Sequence, residues 1–425
     1  MRGNKLFIFV LVLFFYCGLF VSMFESVALE NTLVANSWIS RAPMSQARGG
    51  LGVVAVDGKI YAIGGSTADN TNYFNNVYLE GFVGTNECYD PATDTWVSLA
   101  DMPTPRSNFA IAAYQDKIYC IGGVIGTTLD DQYGLFTQRV SCNITEVYDI
   151  AINSWSTKAS VHYSFSDLSA CVVDGKIFVL RASVFVCYDP VLDMWSNRTF
   201  LPVSPYNEGF APVLVVVDNK IVVTSDIVFG ISNSDVRGVF VYDPVRDMWC
   251  EGETRERIVH LGGAGATTGV YAPKKVYVLG EKPVYAGELE MELAQGVSRV
   301  YDVSSDSWSD GAGMLTPRLG FGVAVVDDIL YVVGGRTDHR AASAVNEAYI
   351  PIGHNLVSVP IPSVTTPVPS VTPLVPTEFF LKYTVAVVAL VLIAGVVAIV
   401  SVLYFKKKQN NGEKIKSIKY DKCNN

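Results

Sequence analysis

Val53-Val54-Ala55-Val56-Asp57-Gly58-Lys59-Ile60-Tyr61-Ala62-Ile63-Gly64-Gly65, then after a polar insert Cys88-Tyr89-Asp90-Pro91 and Trp96, is the stretch that decides the fold. Two apolar runs joined by Asp57-Gly58 predict a β-hairpin, because Asp-Gly supplies the left-handed backbone of a tight turn. Tyr89 and Trp96 mark two further short strands around a turn at Asp90-Pro91. A four-stranded antiparallel sheet of this kind is apolar on both faces. It has to pack against copies of itself.

The copies follow. The tyrosine recurs at Tyr89, Tyr148, Tyr188, Tyr242, Tyr301 and Tyr349, and the tryptophans at Trp38, Trp96, Trp155, Trp195, Trp249 and Trp308 are all six in the chain. The step from Tyr to Trp is seven residues in each complete case, from 89 to 96 through 301 to 308. Four short strands repeated at intervals of about 40–60 residues predict a β-propeller. Trp38 has no Tyr before it and Tyr349 has no Trp after it, so the simplest ring is all-β with six blades. An N-terminal strand around Trp38 completes the last blade and leaves no sheet edge open.

These residues resemble the kelch repeat family. Its double glycine after the second strand stands at Gly64-Gly65, Gly122-Gly123 and Gly334-Gly335, with Tyr and Trp following in order. The resemblance covers roughly residues 36 to 351. Blades three to five depart from it, with Leu180-Arg181, Thr224-Ser225 and Gly280-Glu281 in place of the pair, and are expected to turn differently there.

The ends of the chain predict a membrane topology. Arg2 and Lys5, the apolar run Leu6 to Val21, and small residues at Ser26-Val27-Ala28 predict a signal peptide over 1–28. The propeller occupies 29–351. Six prolines among Ser, Thr and Val predict a semi-rigid stalk over 352–377, reaching about 80 Å at roughly 3.1 Å per residue. An uncharged run from Tyr383 to Phe405 predicts a membrane helix within 378–405, and 406–425 is a basic tail beginning Lys406-Lys407-Lys408. Positive residues stay on the cytoplasmic side, so the expectation is a single-pass type I cell-membrane protein with its propeller outside. Net charge is −9 although the tail holds seven lysines, which leaves the propeller acidic and argues against a nucleic-acid partner.

Outside the cell is oxidising, yet the cysteines do not form a disulfide framework. Cys88, Cys120, Cys171 and Cys187 fall on repeat positions that other blades fill with Val or Ala. They are expected to be small core hydrophobes. Only Cys142 and Cys250 lie off the pattern within the propeller. No cofactor or metal is expected: no CxxC spacing exists, and His162, His260, His339 and His354 pair with no obvious Cys and Tyr, with His354 assigned to the stalk. No catalytic residue is assigned.

Candidate binding residues come from loop lengths and charge. Tyr to Trp is fixed on one face of the disc, whereas the loops on the other face vary widely, and binding residues concentrate on such loops. The longest inserts, in blades one and two, carry Tyr73, Phe74, Tyr133 and Phe136. Arg48, Arg106 and Arg318 each lie ten residues after a repeat Trp, in blades that adjoin once the ring closes. Two readings of them stand, blade-to-blade packing or a basic arc at the channel mouth that receives an anionic group. Asn143-Ile144-Thr145 and Asn197-Arg198-Thr199 are possible glycosylation sequons. The expected function is recognition of a surface protein or glycan. The alternative, implied by the resemblance, is an anchored sugar-active enzyme similar to sialic-acid mutarotases or galactose oxidases.

Overall fold

The computed structural model describes residues 34–67, 81–129, 137–202, 213–226, 237–252, 261–286, 290–337 and 341–355. Every regular element among them is a β-strand. Six four-stranded antiparallel sheets form, with innermost strands Gly52–Val56, Ala110–Tyr114, Ser169–Val173, Val213–Val217, Leu261–Ala266 and Gly322–Val326. Each innermost strand neighbours the next around an axis, and Gly322–Val326 lies against Gly52–Val56, so the ring closes. The signal, most of the stalk, the 378–405 run and the tail lie outside the described residues. No helix among the described residues is long and apolar enough to cross a membrane.

The last blade is assembled from both ends of the chain. Ser37–Arg41 pairs antiparallel with Asn346–Ile350, placing Trp38 opposite Tyr349 as every other blade places its own Trp opposite its own Tyr. Between neighbouring blades the apolar faces interlock: Ile60 and Tyr89 of the first blade pack with Tyr331 and Ile350 of the sixth. Each fully buried Ile, Leu or Val contributes about 1.5–3 kcal/mol.

The repeat spacing has a mechanical reason. Five residues after each Tyr sits Asp94, Asn153, Asp193, Asp247 or Asp306, all at positive φ between 48° and 54°. Asp and Asn tolerate this left-handed backbone and bring a side-chain oxygen to it. That oxygen accepts the tyrosine hydroxyl, at 2.6 Å from Tyr89 and 2.7 Å from Tyr148. It also accepts a backbone N–H from the preceding blade: Ala42 at Asp94, Ala100 at Asn153, Ala159 at Asp193. The tryptophan indole then donates to the carbonyl of the same residue, with Trp96 to Ala42 at 2.7 Å and Trp155 to Ala100 at 2.8 Å. Each repeat therefore ends in a clasp that grips its neighbour. Asp193 is held below the usual carboxylate range, first by the Tyr188 hydroxyl and then by the Ala159 N–H.

Two expectations need correction. In blade five the interval after Gly280 is no irregular loop: Val276–Ala286 and Glu290–Asp302 pair as one long ribbon. Blade two adds its own hairpin, Val124–Leu129 with Thr137–Ser141. His354, assigned to the stalk, instead belongs to the disc. Its ring is buried, contacts the Asp327 carbonyl at 2.9 Å and stacks on Tyr271, while the Asn355 N–H donates to the Tyr271 carbonyl. At the missing glycine pair blade three does turn differently, through a tight hairpin with Ala182 at φ 48°, whereas in blades four and five the strand runs on through Thr224-Ser225 and Gly280-Glu281 without turning.

At the seam the clasp is completed by Asn36, whose Oδ1 accepts the Tyr349 hydroxyl at 2.8 Å and the Ala312 N–H at 2.7 Å. Asn36→Ala is expected to destabilise the propeller by about 0.5–1.5 kcal/mol per hydrogen bond lost, the net worth of such bonds where water can replace them in part. Asn36→Asp should retain most of the stability, and Asn36→Gly, which relieves φ but supplies no oxygen, should not. Denaturant midpoints check this; an unchanged midpoint for Asn36→Ala would mean the seam is fastened elsewhere.

Candidate binding face

The two faces of the disc are built differently. The turns within each hairpin, such as Asp57-Gly58 and Pro91 to Asp94, share one face with the described ends at Val34 and Asn355. The loops whose lengths vary most occupy the other, while on the first face blade five's inner turn, 267–275, is the one long exception among the described hairpin turns. On the face of the variable loops, residues from all six blades line a cavity of about 290 Å³ at the channel mouth. Its rim is a relay of backbone hydrogen bonds: Gly50 N–H to Gly320 O, Asn108 N–H to Gly50 O, and Asp167 N–H to Asn108 O, at 2.7–2.9 Å. The residues of this relay all have positive φ. A Cβ at Gly50 would meet the Asn108 side chain, which would have to shift. Leu51, Phe109, Leu168, Leu214 and Phe321 also border the cavity, but they are buried and its exposed lining is mostly polar.

Asp167 is the one carboxylate among the cavity's lining residues. It accepts from the Asn108 amide at 2.6 Å and faces Arg139 at 3.4 Å. Among the described residues no group of His, Cys, Asp and Glu has the arrangement of a metal site. The rim's peptide groups are paired around the mouth, so the polar cluster of Asn108, Asp167 and Arg139 is what it offers a peptide or a polyhydroxylated group.

The three arginines do not belong to this surface. Arg48, Arg106 and Arg318 are fully buried, and each meets a glutamate from its own blade: Glu87 at 2.5 Å, Glu146, and Glu347 at 2.6 Å. Arg48 also donates to the carbonyls of Gly64 and Thr85, Arg106 to Thr104 and Cys120, and Arg318 to Thr316, Val332 and Gly334. Burial lowers the Arg48 and Arg318 guanidiniums from their usual value, and the facing glutamates oppose that shift. A basic arc open to an anion does not form; the packing reading is the one the geometry supports. The signal was present in the sequence: Glu87, Glu146 and Glu347 each stand two residues before a repeat Tyr, where blades three to five carry Val186, Phe240 and Arg299.

The same loops join blade to blade. The second glycine of one blade donates its N–H to the arginine carbonyl of the next: Gly335 to Arg48 at 2.8 Å and Gly65 to Arg106 at 2.9 Å. Blades six, one and two are thereby tied together just beneath the variable loops.

The comparisons follow this division. A family profile described as Kelch motif matches residues 47–103, 105–161 and 317–354, the segments that carry the Arg–Glu pairs and double glycines. Three blades of the propeller carry the kelch motif. Beta-scruin of Limulus polyphemus is 28% identical over 271 residues, covering 61% of this chain and 28% of that protein. Kelch-like protein 15 of Danio rerio is 26% identical over 235 residues, covering 51% of this chain and 36% of its own length. The chain thus spans about a third of the length of these curated relatives. The solved structure of YjhT superposes with a TM-score of 0.53 at 14% identity, covering 72% of this chain and 95% of that one, which shows the shared fold.

Of the other sequence candidates, Tyr73, Phe74, Tyr133 and Phe136 lie outside the described residues. Asn197 is exposed at the end of blade three's outer strand, and Asn143 is half-buried. Cys88, Cys120 and Cys187 are buried free thiols and Cys171 is a half-buried one; burial pushes the Cys120 thiol up to about 12. Cys142 is also buried and free, while Cys250 is exposed.

A double-mutant cycle at Arg106 and Glu146 tests the buried pair. Glu146→Ala alone should cost about 3–5 kcal/mol by stranding a buried charge, whereas Arg106→Met with Glu146→Leu should cost much less than the sum of the single changes. Additive losses in denaturant unfolding would contradict a coupled pair.

Proposed function

We propose that this protein is a cell-surface recognition module, a kelch propeller carried outside the cell on a Pro-rich stalk and a single membrane anchor, binding a protein partner through its variable loops. Kelch propellers in general bind other proteins. The observation that carries the reading is the division of the disc. The described propeller ends at Asn355, whose N–H donates to Tyr271 on the face of the hairpin turns, opposite the variable loops. The sequence adds the uncharged run from Tyr383 to Phe405 followed by three lysines, the pattern of an anchor with a cytoplasmic tail. A surface glycan is the second ligand class, suited to the mostly polar lining of the channel mouth.

Protease applied to intact cells should release a soluble propeller by cutting within 352–377, while an epitope placed after Asn425 stays protected. Surface labelling of that epitope would overturn the topology. Against a partner recovered from surface-protein or glycan arrays, Tyr73→Ala with Phe74→Ala, and Tyr133→Ala with Phe136→Ala, should each weaken binding at least tenfold, as loss of central aromatic contacts does at about 2 kcal/mol or more. Asp94→Asn, which keeps the clasp on the opposite face, should leave binding unchanged; the reverse pattern would put the site on the wrong face.

A further inference from the structure

Blade three departs from its neighbours at linked positions on the variable face. Its central hairpin closes with Ala182-Ser183 alone between Lys176–Arg181 and Val184–Asp189. Blades one and six separate the same two strands by far more residues, blade two adds a hairpin, and the strands of blades four and five run on. Phe165 stands ten residues after Trp155, the place that Arg48, Arg106 and Arg318 hold in blades one, two and six. The backbone tie to the preceding blade is kept, since the Gly123 N–H donates to the Phe165 carbonyl at 2.7 Å. The ion pair is not: Val186 stands where those blades carry the glutamate.

The released position carries a stack. The rings of Tyr163 and Phe165 lie 5.3 Å apart, and the Arg181 guanidinium, from the short hairpin, lies 5.5 Å from the Phe165 centroid. The Arg181 Nε donates to the Ser166 carbonyl at 3.2 Å, which fixes the group and leaves both Nη groups without a partner among the described residues. Tyr163 is 50% exposed. Two residues beyond Phe165 is Asp167, held by the Asn108 amide and the Ser166 hydroxyl. An aromatic ring, an open guanidinium and a carboxylate thus come together beside the one hairpin short enough to expose them.

That set fits one ligand chemistry. A half-exposed ring attracts the slightly positive C–H bonds of a sugar face, and hydroxyls, each a donor and an acceptor, use a guanidinium and a carboxylate together. A peptide finds no free strand edge, because Lys176–Arg181 and Val184–Asp189 both have neighbours on each side within the blade. An anionic ligand would meet the Asp167 carboxylate. We infer that the notch of Tyr163, Arg181 and Asp167 on blade three binds a neutral pyranose, a hexose or N-acetylhexosamine of a surface glycan. Its C–H face lies on Tyr163 and its hydroxyls on Arg181 and Asp167. The inference rests on the glycan reading proposed above and names the contact for it.

The test uses the full chain in detergent, titrated by saturation-transfer NMR with the methyl glycosides of glucose, galactose, mannose, N-acetylglucosamine and N-acetylgalactosamine. At least one should bind, with transfer concentrated on the ring protons of one face. Tyr163→Ala and Arg181→Met should each weaken it by about tenfold or more, and Tyr163→Phe should keep it within about twofold, with thermal midpoints unchanged. A glycoside whose binding survives Tyr163→Ala or Arg181→Met overturns this site and keeps the glycan reading. If no glycoside binds while the chain still captures a partner on the surface-protein array, the pyranose is overturned and protein recognition stands. Failure of both overturns the recognition reading as well.

Discussion

A blade that is apolar on both faces cannot persist alone, and everything else in the propeller depends on how one blade grips the next. Area burial supplies most of the attraction but fixes neither distance nor register. The clasp does. An Asp or Asn in left-handed conformation takes the tyrosine hydroxyl of its own blade and a backbone N–H of the preceding one, and the tryptophan indole binds the carbonyl of that same neighbouring residue. One residue thus engages through both of its peptide polar groups. The tilted Tyr–Trp pairs, with ring centroids 4.9–5.2 Å apart, stack within each clasp and add packing that a point contact would lack.

The opposite face is fastened by different chemistry, and unequally. In blades six, one and two a buried arginine binds a glutamate and several strand-end carbonyls, and in blades one and two its own carbonyl accepts from the previous blade's glycine. Removing charges from water is expensive, so the arrangement makes sense only where the guanidinium satisfies many acceptors at once. It converts an irregular loop into a rigid edge. The loops that vary in length begin from that edge, which lets recognition residues change without loosening the ring. Blades three to five lack the device, and blade three replaces the double glycine with a tight hairpin.

Much of this was legible in the residues. The seven-residue step from Tyr to Trp is the span of a turn and two strand ends, so it fixed the blade count and the seam, including Trp38 opposite Tyr349. The arginines were visible, but their role was not, because their partners lie 29 to 40 residues away on another strand. Once the Glu at two residues before each Tyr is noticed, the pairing follows. His354 was misplaced because the composition turns toward proline just after it, while the ring contact that holds it comes from Tyr271, far away in sequence. The blade-five ribbon was missed because its strand pairing runs past the position where other blades turn.

The most direct test of this account is amide hydrogen exchange at Gly65 and Gly335, loop residues whose N–H groups donate to the carbonyls of Arg106 and Arg48. If blades six, one and two are locked beneath the variable loops, these two amides exchange as slowly as those of the central strands Lys59–Ile63 and Ile329–Val333. Exchange at the rate of exposed loop amides would contradict a rigid edge and the division of the disc built on it.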